Sequence, residues 1–143
     1  MTNNILFSHR PKLGVSLGAV SENGQLFIAL ALTNDGISRN NLFHKERRDM
    51  FSRVRACNII AGRIKAMRKP SLFVTNNMVQ ASFGTNITAK DFIRELRIWF
   101  KPIYEETDAT FNDIKIRDRI ISMIWEKARQ IVRTHDDINI EIQ

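Results

Sequence analysis

The sequence predicts an α+β domain: a small, largely antiparallel sheet built around an N-terminal hairpin, with about three helices covering one face. Two alternating stretches flank Asn23-Gly24, and three later stretches repeat apolar residues at helical spacing. The chain of 143 residues has 43% apolar and 26% charged side chains, the size and composition of a single globular domain. No internal repeat or linker divides it, so residues 1–143 are read as one domain.

The hairpin comes first. Leu13, Val15, Leu17 and Ala19 alternate with smaller or polar residues up to Val20, which suits a strand with one buried face. Ser21-Glu22-Asn23-Gly24 then turns the chain, because Asn and Gly both tolerate positive φ. Gln25 to Thr33 forms the return strand, with Leu26, Ile28, Leu30 and Leu32 on one side. Phe27, Ala29 and Ala31 make its other side apolar, which places the strand centrally in the sheet. A short strand around Ile5 to Ser8 can precede the hairpin.

Asn34-Asp35-Gly36 ends the return strand and a long helix follows. Asn41 and Asp49 are both candidate caps, giving starts at Leu42 or Met50. Met50, Val54, Cys57, Ala61 and Ile64 recur at steps of four and three and form the expected buried stripe. Arg48, Arg55, Asn58, Gly62, Lys65 and Lys69 lie opposite, and Pro70 closes the segment. Ser71–Val74 and Val79–Phe83 read as two short strands. Thr88 is an N-cap, with Asp91 three residues on, for a second helix with the stripe Phe92, Leu96, Trp99 and Ile103. Pro102 should stop or kink that helix. A third helix over Asn112–Arg133 turns Ile120, Ile124, Ala128 and Ile131 inward, widened by Ile121, Trp125 and Val132. The alternation Ile138-Asn139-Ile140-Glu141-Ile142 predicts a final strand.

Composition narrows the function. Cys57 is the single cysteine, so no intramolecular disulfide forms and a reducing compartment is the simpler expectation. Met1 to Arg10 lacks the apolar core of a signal peptide, and no apolar run approaches the roughly 20 residues of a membrane helix. The expected location is the cytoplasm. His9, His44 and His135 have no second ligand at helical spacing, and no zinc, redox or phosphate-cradling glycine motif occurs. Asp136-Asp137 beside His135 reads as a solvated turn rather than a metal site, and Cys57 as a small core thiol. No catalytic residue, metal or cofactor is assigned.

Binding is better supported. The net charge is +7, and the segment from Arg39 to Lys69 holds ten basic side chains against Glu46 and Asp49 alone, leaving the rest of the chain close to neutral. A basic patch on a nearly neutral body is the footprint of a polyanion binder. The residues expected to carry it are Arg47, Arg48, Arg55, Gly62, Arg63, Lys65 and Lys69 around the first helix. Lys90, Arg94, Arg97 and Lys101 join them, as a row at steps of four, three and four on the second. Asp91 and Glu95 flank that row and can take up part of it in local ion pairs. Gly62 inside a helix costs about 1 kcal/mol relative to Ala, so it admits either a ligand or a packed neighbour, and packing is the expectation. Phe51 can stack on a base or lie beneath a loop.

Asp49-Met50-Phe51-Ser52-Arg53, with Ile59 and Gly62-Arg63, resembles a pattern of small bacteriophage proteins that runs Asp-x-Phe-Ser-Arg-Lys-x-Gly-Arg-x-Ile-Ala-x-Gly-Arg after a hairpin. Val54, Ala56, Cys57 and Ile60 depart from it, so its first Gly-Arg pair is missing. The resemblance spans about fifteen residues and implies a phage origin, host cytoplasm as the location, and a strand-to-helix junction capped by Asp49. The leading expectation is a non-enzymatic nucleic-acid-binding accessory protein that contacts phosphates on DNA or RNA. A protein-binding inhibitor or adaptor docking on an acidic host surface is the alternative, and a small nuclease with dispersed carboxylates the third. Homo-oligomerisation is compatible with all three, and no membrane partner is expected.

Overall fold

A computed structural model describes residues 4–11, 14–32, 52–68, 79–106 and 114–142. Its elements are β1 (Leu6–Arg10), β2 (Val15–Glu22), β3 (Gln25–Leu32), α1 (Arg53–Arg68), β4 (Gln80–Gly84), α2 (Ala89–Glu106) and α3 (Ile114–Ile142). The strands form one antiparallel sheet in the order β1-β2-β3-β4. The expected α+β class is what forms.

The β2–β3 turn is set by its own residues. Asn23 has φ 51° and Gly24 φ 76°, the pair of positive values that matches a two-residue turn to the twist of its strands. That turn fixes the register Glu22↔Gln25 through Val15↔Leu32. A one-residue slip would exchange the faces of β3, sending Leu26, Ile28 and Leu30 to the side now held by Phe27, Ala29 and Ala31.

Both faces of β3 are buried, and here the expected architecture needs correction. The helices do not share one face. Val15, Leu17, Ala19, Leu26, Ile28 and Leu30 pack with residues of α2 and α3, including Phe92, Leu96, Ile124 and Ala128. Val20, Phe27, Ala29 and Ala31 pack on the other side with Ala56, Ile60 and Ile64 of α1. The apolar second side of β3 demanded such a cover. Ile60 and Ile64 are fully buried, each stabilising the fold by about 1.5–3 kcal/mol relative to exposure.

The stripe of α1 is therefore rotated from the expected one. Ala56, Ile60 and Ile64 are buried at steps of four, whereas Val54 is 72% exposed and Cys57 and Ala61 are only half-buried. Both stripes are periodic, and the one that buries two isoleucines removes more apolar surface from water. The cap also differs: Ser52 Oγ accepts from the Arg55 N–H at 3.2 Å, and the Ser52 carbonyl accepts from the Ala56 N–H. Asp49, Asn41, Met50 and the expected strand at 71–74 lie outside the described residues.

Thr88 caps α2 as expected, its Oγ1 accepting from the Asp91 N–H at 3.1 Å. Phe92, Ile93, Leu96 and Phe100 are buried, and Trp99 and Ile103 only partly so. Pro102 does not stop the helix, which continues to Glu106. The bond it forfeits is to the carbonyl of Ile98, a residue on the exposed side, where water can replace a helical partner. The final strand is also corrected, since α3 runs unbroken to Ile142. Ile138 and Ile142 are four apart, a helical spacing as much as an alternating one, and they extend the period of Ala128 and Ile131. Val79–Phe83 is realised as β4, and the first strand is shifted to Leu6–Arg10.

Candidate functional site

Helix α1 holds Arg53, Arg55, Arg63, Lys65 and Arg68 and no carboxylate. Its packing sorts these charges. Arg53, Arg55 and Lys65 are exposed, together with Asn58 and Gly62. Arg63 turns inward instead, and its guanidinium donates to the carbonyl of Leu30. Leu30 lies just past the last β3–β4 register pair, Ala29↔Gln80, where the ladder ends. Burial lowers the Arg63 pKa from its ordinary value. Arg68 donates to both carboxylate oxygens of Glu22, at 2.6 and 2.9 Å, and stands 6.0 Å from the centre of the Phe27 ring. Arg63, expected on the binding surface, thus ties α1 to the sheet.

Gly62 is corrected in the opposite direction. Among the described residues a Cβ built there would meet nothing within 4 Å, and the glycine is exposed, so helix backbone is open there rather than packed against a neighbour. The close-packing glycine is Gly18 of β2. A Cβ at Gly18 would come 2.5 Å from Ile60 Cγ2 and 3.3 Å from Phe7 Cδ1. Arg47, Arg48, Lys69 and Phe51 lie outside the described residues.

Lys90, Arg94, Arg97 and Lys101 are all exposed on α2. They lie across the sheet from α1, so the two basic helices do not make one surface. The α2 row is also offset locally, with Arg94 Nη2 3.1 Å from Asp91 Oδ1 and Glu95 on the same helix. Beside it, a cleft of about 450 Å³ between α2 and α3 is lined by Asp91, Arg94, Glu95, Lys127 and His135, among others. Its mixed signs do not select a polyanion.

One cluster was not legible in the sequence. His9 of β1 lies 2.7 Å through Nδ1 from Ser16 Oγ of β2, and 3.8 Å through Nε2 from Cys57 Sγ of α1. Its ring is parallel to that of Phe7, with an interplanar angle of 8° and centroids 6.1 Å apart. Burial, and then the charge of Arg53, lowers the His9 pKa from 6.5. Alternation along β1 could have put Phe7 and His9 on one side. The approach of Cys57, 48 residues away, has no local signal.

Asp136 accepts a hydrogen bond from Thr85 Oγ1 at 2.8 Å, linking α3 to the segment before α2. Among the described residues no three His, Cys, Asp or Glu side chains are grouped to hold a metal ion, and no helix is long and apolar enough to cross a membrane.

Fold and site together define a class, an antiparallel sheet between a basic helix on one face and a helix pair on the other. No family model matches the chain, and neither a curated protein nor a solved structure proves similar to it.

Proposed function

We propose that the chain is a non-enzymatic, phage-encoded accessory protein of the host cytoplasm that binds nucleic acid through phosphate contacts on the open face of α1. One observation carries the reading: the exposed side of α1 presents Arg55 and Lys65 on the face of the uncovered backbone at Gly62, with Arg53 exposed in the first turn, on a helix without a single acidic residue. Lys and Arg on a shared face neutralise successive phosphates and release their counterions. The uncovered Gly62 lets a phosphate come closer to the helix than any side chain would.

A second feature agrees. Arg53 and Arg55 sit in the first turn of α1, with no acidic residue there. The positive end of the helix dipole disfavours cations, typically by 0.3–1 kcal/mol each. A bound phosphate reverses the sign of that interaction, since anions are stabilised at helix N-termini.

The test is a titration of labelled DNA and RNA, single- and double-stranded, followed by fluorescence anisotropy at low salt. Binding that weakens steeply as salt rises supports the reading. The absence of binding to every nucleic acid overturns it, and capture of an acidic protein in their place would make the chain an adaptor.

A further inference from the structure

Two arginines fix the rotation of α1 on the sheet. Arg63 donates to the Leu30 carbonyl from one flank of the helix, and Arg68 reaches Glu22 at 2.6 Å from the other. Ala56, Ile60 and Ile64 are buried between them. The opposite face is therefore held outward. Val54, Asn58, Gly62 and Ala66 follow one another there at steps of four, and all four are exposed. Arg55 lies three residues before Asn58 and Lys65 three after Gly62, which sets the two exposed cations on opposite sides of that row.

Charge and shape together select the occupant of this face. α1 carries no carboxylate, whereas the basic row of α2 is offset by Asp91 and Glu95. A helix with its side chains is about 10–12 Å across and the major groove of B-form DNA about 12 Å wide. Short side chains along the leading edge let such a helix lie deep, and Gly62 has nothing at all there. Longer cations on the two flanks then reach phosphates of the strands that border the groove. The row also carries what the groove floor recognises. An asparagine amide pairs with N6 and N7 of adenine, and an aliphatic side chain meets the methyl group of thymine. Val54, 72% exposed, stands one turn from Asn58.

We infer that α1 enters the major groove of B-form duplex DNA, with Asn58 on an adenine edge, Val54 toward a thymine methyl, and Arg55 and Lys65 toward the bordering phosphates. The inference rests on the phosphate reading of α1 and narrows it to a substrate class. An RNA duplex does not fit, because its A-form major groove is deep and too narrow for side chains to read. A single strand offers no groove at all.

Four probes of equal length test it by anisotropy at one fixed salt concentration: an alternating A·T DNA duplex, an alternating G·C DNA duplex, an alternating A·U RNA duplex and a single-stranded oligothymidylate. The A·T duplex is expected to bind the unaltered chain roughly tenfold or more tightly than the RNA duplex or the single strand. Its expected advantage over the G·C duplex is roughly fivefold or more. Asn58→Ala, at an exposed position where alanine favours the helix, keeps the fold and is expected to remove most of the advantage over G·C. A DNA duplex bound no more tightly than the RNA duplex or the single strand overturns the groove inference and leaves the phosphate reading standing. So does an A·T preference that is absent, or that survives Asn58→Ala. Failure to bind any of the four overturns both.

Discussion

Ile60 of α1 presses its Cγ2 methyl to within 2.5 Å of the point where Gly18 of β2 would carry a Cβ. The helix reaches the sheet at this place because β2 has no side chain there. Gly18→Ala forces Ile60, or the whole of α1, to shift, and is expected to cost roughly 1–3 kcal/mol of stability by denaturant unfolding. In an Ile60→Ala background the same change should cost less, since the overlap is gone. Equal costs in the two backgrounds would show that Gly18 is not needed for this contact.

Gly62 has the opposite character. With nothing among the described residues within 4 Å of its would-be Cβ, Gly62→Ala adds helix propensity without overlap. It is expected to raise stability by about 0.5–1 kcal/mol. A melting temperature below that of the parent would mean that some other part of the chain covers this backbone.

Arg63 and Lys65 are neighbours in charge and not in role. Arg63 donates to the Leu30 carbonyl, while Lys65 is exposed. Arg63→Met removes a charge-assisted hydrogen bond and should cost about 1–3 kcal/mol. Lys65→Gln should stay within roughly 0.5 kcal/mol of the parent, as exposed substitutions commonly do. The reverse ranking would invert the assigned faces of α1.

The depressed pKa of His9 makes stability depend on pH with a definite sign. Below its ordinary value of 6.5 the unfolded chain takes up the proton first, because burial and then Arg53 disfavour it in the fold. The contribution is fully present above 6.5 and is lost as pH falls through the lower folded value. Among the described residues Phe7, Ser16 and Cys57 lie against the ring, and burial and the charge of Arg53 shift it in the same direction. A His9→Gln chain should therefore lose less stability on acidification from about pH 7 to about pH 5 than the parent does. Parallel losses would refute this assignment.

What the sequence revealed was local. Asn23-Gly24 dictates its turn through φ, and Thr88 caps α2 through its own hydroxyl, so both could be read from a few residues. β3 was recognisable as central because both of its sides are apolar. Which helix covers which side was not, since it depends on Gly18, Ala29 and Ala31 together making room for Ile60 and Ile64. The same gap hid the function of individual charges. Nothing near Arg63 in the sequence points to Leu30, and nothing near Cys57 points to His9. Ile138–Ile142 failed for a different reason: five residues with alternating isoleucines fit a strand and a helix alike.

The most direct measurement of the central claim is the salt dependence of nucleic-acid affinity for the parent and for a chain carrying Arg53→Gln, Arg55→Gln and Lys65→Gln together. These three side chains are exposed on α1. If they neutralise phosphates, the parent's log K falls with log salt, and the triple variant flattens that slope by about 2–3, with its fold intact by circular dichroism. A slope unchanged by the substitutions, or a parent that binds no nucleic acid at low salt, would contradict the account.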